Sequence, residues 1–213
     1  MSKPMYEVWA EKAAEQWKII LGLAAVVLVV IAGMGISNEM RSRREASATN
    51  SLYEAQLEAR KAEKKPEVAE QAFQKVIDAH KGTRAAFEAE LQAGDAWMDA
   101  ANYDKAVGHY QKAGDESSDS FSKLLSIYNV GIARESQGKM EDAVKAYEQA
   151  LAISGSDFLR PEILMAQARC YEALNQGAKA IEIYKTVEEK YASRSYYSGA
   201  ASAFEKQLSS KKL

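Results

Sequence analysis

The chain has 213 residues and carries 28 Lys and Arg against 30 Asp and Glu, a formal net charge of −2, which excludes the basic field of a nucleic-acid binder. Hydrophobic residues make up 47% and charged ones 27%, the balance of a globular protein, and only 3 prolines and 12 glycines interrupt a sequence rich in helix formers. The single cysteine, Cys170, excludes an intrachain disulfide and a cysteine-based zinc site, and reads as a small buried helix residue.

Residues 1–18 form a short tail in which Glu7, Glu11 and Glu15 alternate with Lys3, Lys12 and Lys18. The run "IILGLAAVVLVVIAGMGI", Ile19 to Ile36, then continues for 18 residues without a charge. At about 1.5 Å per residue it spans roughly 27 Å, close to the hydrocarbon thickness of a bilayer, so a transmembrane helix is expected over 19–37. Trp17 and Lys18 look like an interfacial anchor. The run is longer than the apolar region of a cleaved signal, and the tail is not a short basic leader, so an uncleaved anchor is the better reading. Lys3, Lys12 and Lys18 on one side balance Arg41, Arg43 and Arg44 on the other, so flanking charge does not decide the orientation. Gly33 and Ser37 form one small-residue pair, too little to argue for helix pairing in the membrane.

Beyond the span, residues 38–65 are charged and alanine-rich and are expected to be a juxtamembrane helix leading into the first repeat. From there a period governs the chain over 50–190. "DKAVGHYQKAG" starts at Asp104, "EDAVKAYEQAL" at Glu141 and "AKAIEIYKTVE" at Ala178, aligning Ala106, Ala143 and Ala180 at steps of 37. Tyr110, Tyr147 and Tyr184 follow four residues later, then Ala113, Ala150 and Val187. One further step back finds Ala69, Phe73 and Val76 at the same offsets, which tests the period independently. Twelve residues before the later alanines stand Gly94, Gly131 and Ala168, small enough for a close helix crossing, followed by Trp97, Arg134 and Tyr171. The first unit is degenerate at these sites, with Leu57 and Arg60. "AANYD", "SQGKM" and "LNQGA" read as turns between the two halves, so each unit is helix, turn, helix. His109, beside Tyr110 on such a helix, reads as exposed, and neither it nor His80 sits at metal-ligand spacing. Residues 191–213, with "SYYSGAASAFEKQLSSKKL", read as a capping helix over the last repeat.

These residues resemble the tetratricopeptide family, whose pattern pairs W-x2-L-G-x2-Y in a first helix with A-x3-F in a second. "IYNVGIARESQGKMEDAVKAYEQALAIS", Ile127 to Ser154, matches over nearly a whole unit, departing at Arg134 and in lacking a final proline. The family's common period is about 34. The longer step here is expected to place its extra residues in the turns between repeats, at "DESSDS" and "GSDFLR". The expected fold is all-α: one transmembrane helix, a solenoid of about four αα-hairpins, and a capping helix.

No phosphate loop, nucleophile elbow or histidine–carboxylate metal motif occurs in the sequence, so no catalysis, cofactor or metal is expected. The resemblance implies a binding scaffold whose first helices line a concave groove. By repeat position that surface comprises Leu91, Asp95 and Met98, then Leu125, Tyr128, Ile132 and Glu135, then Met165, Arg169 and Glu172. Such a mixture suits an extended or helical peptide, and the alternative is that its apolar members simply pack between repeats. No Lys-x3-Asn pair occurs, which argues against a clamp for acidic chaperone tails. The layout of tail, span and 37-step repeats also resembles a bacterial envelope group that includes the ancillary Sec translocon subunit and a cell-division coordinator. That resemblance implies a cytoplasmic N-terminus and repeats in the periplasm. It also implies protein partners, either translocon subunits or an anchored peptidyl-prolyl-isomerase-type chaperone. The other reading is a self-associating assembly factor for another envelope machine.

Overall fold

The computed structural model describes residues 4–62 and 65–210. Residues 1–3 of the tail, 63–64 of the juxtamembrane segment and 211–213 of the capping segment lie outside the described residues. Among the described residues there are nine α-helices, one turn of 3-10 helix and no strand. The chain divides into two units, 1–47 and 48–213, described separately.

In the first unit the chain is helical from Met5, as the first part of α1 (Met5–Lys61). Its large apolar residues, among them Leu23, Leu28 and Ile31, are exposed, and Arg43 pairs with Glu39 at 2.7 Å beyond the apolar run. By length and composition this is the one helix among the described residues able to cross a bilayer.

The second unit stacks helical hairpins. The end of α1 pairs with α2 (Pro66–Ala79), α3 (Arg84–Asp99) with α4 (Tyr103–Glu116), α5 (Ser120–Ser136) with α6 (Met140–Ala152), and α7 (Arg160–Ala173) with α8 (Gly177–Lys190). The helix α9 (Ser195–Ser210) packs on α8, burying Ala201 and stacking Phe204 on Tyr184 with ring centroids 5.5 Å apart. Four of the helices start for legible reasons. Pro66 opens α2, where a missing N–H costs nothing, and the side chains of Thr83, Asn102 and Asp119 cap α3, α4 and α5.

The period has a direct structural expression. Ala106, Ala143 and Ala180 are fully buried, Tyr147 and Tyr184 with them, and Ala69, Phe73 and Tyr110 nearly so. At the small residues opposite, a methyl on Gly94 would lie 2.5 Å from Cε1 of Tyr110, and one on Gly131 would overlap the Tyr147 ring. The glycines are therefore where the ring of a second helix rests on the backbone of the first.

The turns inside the repeats obey the same step. Ala101, Gly138 and Asn175, each 37 apart, all take positive φ, at 55°, 80° and 58°. In each case two bonds close the end of the first helix. Ala101 N–H donates to Met98 O and Asn102 N–H to Trp97 O, and the pairs Gly138 to Glu135 with Lys139 to Arg134, and Asn175 to Glu172 with Gln176 to Tyr171, repeat the pattern. This is a left-handed C-cap with its two characteristic bonds.

Two expectations need correction. His109 is not exposed: at 5% accessibility it lies between two carboxylates, Nδ1 2.7 Å from Glu90 of α3 and Nε2 3.1 Å from Glu70 of α2. In the degenerate first unit Leu57 and Arg60 are exposed, while α1 buries Ala48, Leu52 and Ala55, the first two in register with the buried Ala85 and Ala89 of α3. The extra residues are not all in the turns between repeats either. Asp115 and Glu116 of "DESSDS" extend α4 and Ser120 begins α5, whereas the segment at 153–159 is a true lengthened connection containing the 3-10 turn Ser156–Phe158.

Ala101 holds a conformation that disfavours a Cβ, by about 1 kcal/mol. Ala101→Gly is expected to raise stability by about that amount in urea unfolding, and Gly138→Ala to lower it similarly. Equal effects of one sign from both changes would contradict the left-handed cap.

Candidate partner-binding groove

The ten residues expected to face a partner fall on three first helices: Leu91, Asp95 and Met98 on α3, Leu125, Tyr128, Ile132 and Glu135 on α5, and Met165, Arg169 and Glu172 on α7. Tyr128 and Met165 are buried, Asp95 and Arg169 exposed, and the rest half-buried. Leu91 and Met98 pack against the cluster around Trp97, and Leu125 and Ile132 against the cluster around Tyr147.

Three of the charged members are tied to the tyrosines that hold the hairpins together. Tyr110 donates its hydroxyl to Asp95 at 2.6 Å, Tyr147 to Glu135 at 2.7 Å, and Tyr184 to Glu172 at 2.5 Å. A buried phenol needs an acceptor, and each first helix provides a carboxylate at its partly exposed edge. Glu135 and Glu172 are in register at 37, while Asp95 reaches its tyrosine from one turn earlier. In the first repeat the ring is Phe73, which has no hydroxyl to satisfy. Glu58, one step of 37 before Asp95, instead pairs with Lys75 at 3.2 Å.

Further bonds link one repeat to the next. Arg169 donates from Nε to Glu135 at 3.1 Å and from Nη2 at 3.4 Å, so Glu135 joins α5, α6 and α7. Burial alone would lower the Arg169 pKa, but the hydrogen bond and charge of Glu135 outweigh it and the net shift is upward. Tyr128, its ring centroid 5.9 Å from that of Tyr147, donates to Glu162 at 3.0 Å, and Tyr197 of α9 donates to the other oxygen of Glu162 at 3.4 Å. Glu162 did not enter the sequence reading, although it stands one step of 37 after Leu125 and the register alone could have found it. Between the second and third repeats, Arg134 donates to Asp104 at 2.9 Å and to Gln137 at 2.7 Å, and Gln137 donates to Asp104 at 3.0 Å. Those two hydrogen bonds, Gln137 first, hold the Asp104 carboxyl below its ordinary range.

The phenols are strongly perturbed. Burial first, then the carboxylate each one meets, raises the pKa of Tyr110, Tyr128, Tyr147 and Tyr184. Desolvation raises Asp95 despite the lowering bond from Tyr110. Cys170 is fully buried, and burial pushes its thiol up to about 12, so it is an inert packing residue rather than a nucleophile. The arrangement offers fixed acceptors, one paired guanidinium and half-buried apolar side chains.

A family profile described as a tetratricopeptide repeat-like domain matches residues 13–134, and another, tetratricopeptide repeat, matches residues 136–204. The chain belongs to the tetratricopeptide repeat family. Its fold is similar to a crystal structure of Podosopora anserina putative kinesin light chain nearly identical TPR-like repeats. That pair is 16% identical with a TM-score of 0.56, covering 78% of this chain and 93% of the other. A crystal structure of MamA protein is similar at 20% identity and a TM-score of 0.51, covering 76% and 88%. Both likenesses concern the fold alone. No curated protein matches the sequence.

Loss of one hydroxyl-to-carboxylate bond is expected to cost about 1.5 kcal/mol, so Tyr147→Phe should lower the urea midpoint without changing the helical circular dichroism. The phenols also fix an alkaline limit. The unfolded chain releases its phenolic protons near 10.0 while the folded chain retains them, so the native state binds more protons above that pH. The stabilisation is complete below pH 10.0 and is lost progressively above it. The triple change Tyr110→Phe, Tyr147→Phe and Tyr184→Phe should flatten this fall, and an unchanged pH profile would contradict the assignment.

Proposed function

We propose that this protein is a membrane-anchored tetratricopeptide scaffold of the bacterial cell envelope. Its N-terminus is cytoplasmic and its repeats lie in the periplasm, where they hold protein partners as an ancillary component of the Sec translocon or of the chaperone network beside it. The observation that carries the anchor is α1. Its charge-free stretch exposes Leu23, Val26, Leu28 and Ile31 on successive faces, and it continues directly into a repeat unit. A helix apolar all round has no polar face to give to water, and a bilayer is the solvent that suits it. The scaffold function rests on the family and on the first-helix face. Half-buried Leu125 and Ile132 give apolar purchase there, and Glu135, Glu162, Glu172 and Arg169 are fixed by neighbours before any partner arrives. Preset polar groups lower the ordering cost of binding.

A reporter active only outside the cytoplasm, fused to Leu213, is expected to be active, and a cytoplasm-only reporter silent. The opposite pattern would overturn the orientation. Gentle detergent extraction of the full chain is expected to recover translocon subunits or an anchored peptidyl-prolyl-isomerase-type chaperone. Repeated recovery of the chain alone would overturn the partner assignment.

A further inference from the structure

The first repeat leaves exposed one first-helix position that the other three repeats bury or half-bury. In the second repeat Trp97 stands on α3 at 3% accessibility, enclosed by Ala106, Val107 and Tyr110 of α4 and Ala133 of α5. Arg134 and Tyr171 occupy the same position in the next two repeats, at steps of 37. In the first repeat that position is Arg60, which is exposed. The neighbours that would surround a plug are nevertheless present. Ala69, Phe73 and Ala96 stand 37 residues before Ala106, Tyr110 and Ala133. They line an open cleft of about 760 Å³, within the usual size of a ligand pocket.

The rim of the cleft offers the cation that the filled site uses and adds carboxylates, which the buried and unpartnered Trp97 N–H lacks. Lys105 places Nζ 3.6 Å from the centroid of the Trp97 ring, and Lys179 places its own 5.0 Å from that of Tyr171. Around the empty cleft, Arg60 and Lys65 supply cations on one side, while Asp95 and Asp99 supply carboxylates on the other. Alanine methyls and a phenyl ring make a flat apolar floor. Cations favour the face of an aromatic ring, and carboxylates favour the N–H on its edge.

We propose that this cleft is a receptor slot for an aromatic side chain, an indole above all, presented by the scaffold's protein partner. The slot does from outside what Trp97 does within the second repeat. The source of the ring rests on the scaffold reading, whereas the slot's preference for an indole rests on the cleft itself.

The test uses the full chain in detergent micelles with alanine methyls labelled for NMR, titrated with N-acetyl-tryptophanamide and, separately, N-acetyl-leucinamide. The indole probe is expected to give saturable ring-current shifts at Ala69 and Ala96, with affinity at least tenfold above the leucine probe. Arg60→Trp is expected to fill the slot, weaken the probe at least tenfold and raise Tm by about 2–4 °C. Ala59→Leu, entering the cleft from α1, is the second blocking variant should the first fail to fold. Absence of shifts at these alanines, equal response to both probes, or undiminished binding by a folded blocked variant would overturn the slot. Because the probe is a free amide, failure to recover any envelope partner would count against the scaffold reading while leaving ring binding intact.

Discussion

The fold depends on one contact repeated at a fixed step: in the second to fourth hairpins an aromatic ring on the second helix lies against a small residue on the first. At Gly94 and Gly131 there is no room for even a methyl group beside Tyr110 and Tyr147. Glycine inside a helix costs about 1 kcal/mol against alanine, whereas burying an aromatic side chain gains roughly 2–3 kcal/mol. The close crossing therefore wins, and it fixes both the distance and the angle at which the two helices meet. Everything else in the repeat unit is arranged around it, from the left-handed turn that reverses the chain at Ala101, Gly138 and Asn175 to the alanines that let the next hairpin approach.

Burying the ring creates a second requirement. A phenol packed against the backbone carries a hydroxyl that must find an acceptor, and Asp95, Glu135 and Glu172 meet that demand from the first helices. The bonds that complete the core also fix these carboxylates in position. Phe73 shows the converse. Without a hydroxyl the first repeat needs no such acceptor, and it is also the repeat whose plug is missing and whose cleft is open.

The repeat was legible in the sequence because alanine and the aromatic ring are demanded at the same offset four times, and a period of 37 leaves that demand in plain view. Two of the turns were legible as well, through Gly138 and Asn175, which tolerate positive φ, whereas Ala101 carries no such signal. The roles of polar residues were not. His109 looked like an exposed helix residue because Glu70 and Glu90 lie 39 and 19 residues away and become its neighbours only after α2, α3 and α4 stack. Asp95, Glu135 and Glu172 read as groove residues, and nothing in their own positions told that each would answer a buried phenol. The first unit departs from the pattern at Leu57 and Arg60, and only packing reveals that Ala48, Leu52 and Ala55 are its buried residues.

The most direct test of the ring-on-backbone account is the sign of the stability change on Gly131→Ala, measured by urea unfolding of the full chain. Helix propensity alone makes alanine the better residue by about 1 kcal/mol, so a loose crossing would be stabilised. The account predicts the reverse, a loss of about 1–3 kcal/mol as the added methyl drives the Tyr147 ring from its seat. A gain in stability would contradict it.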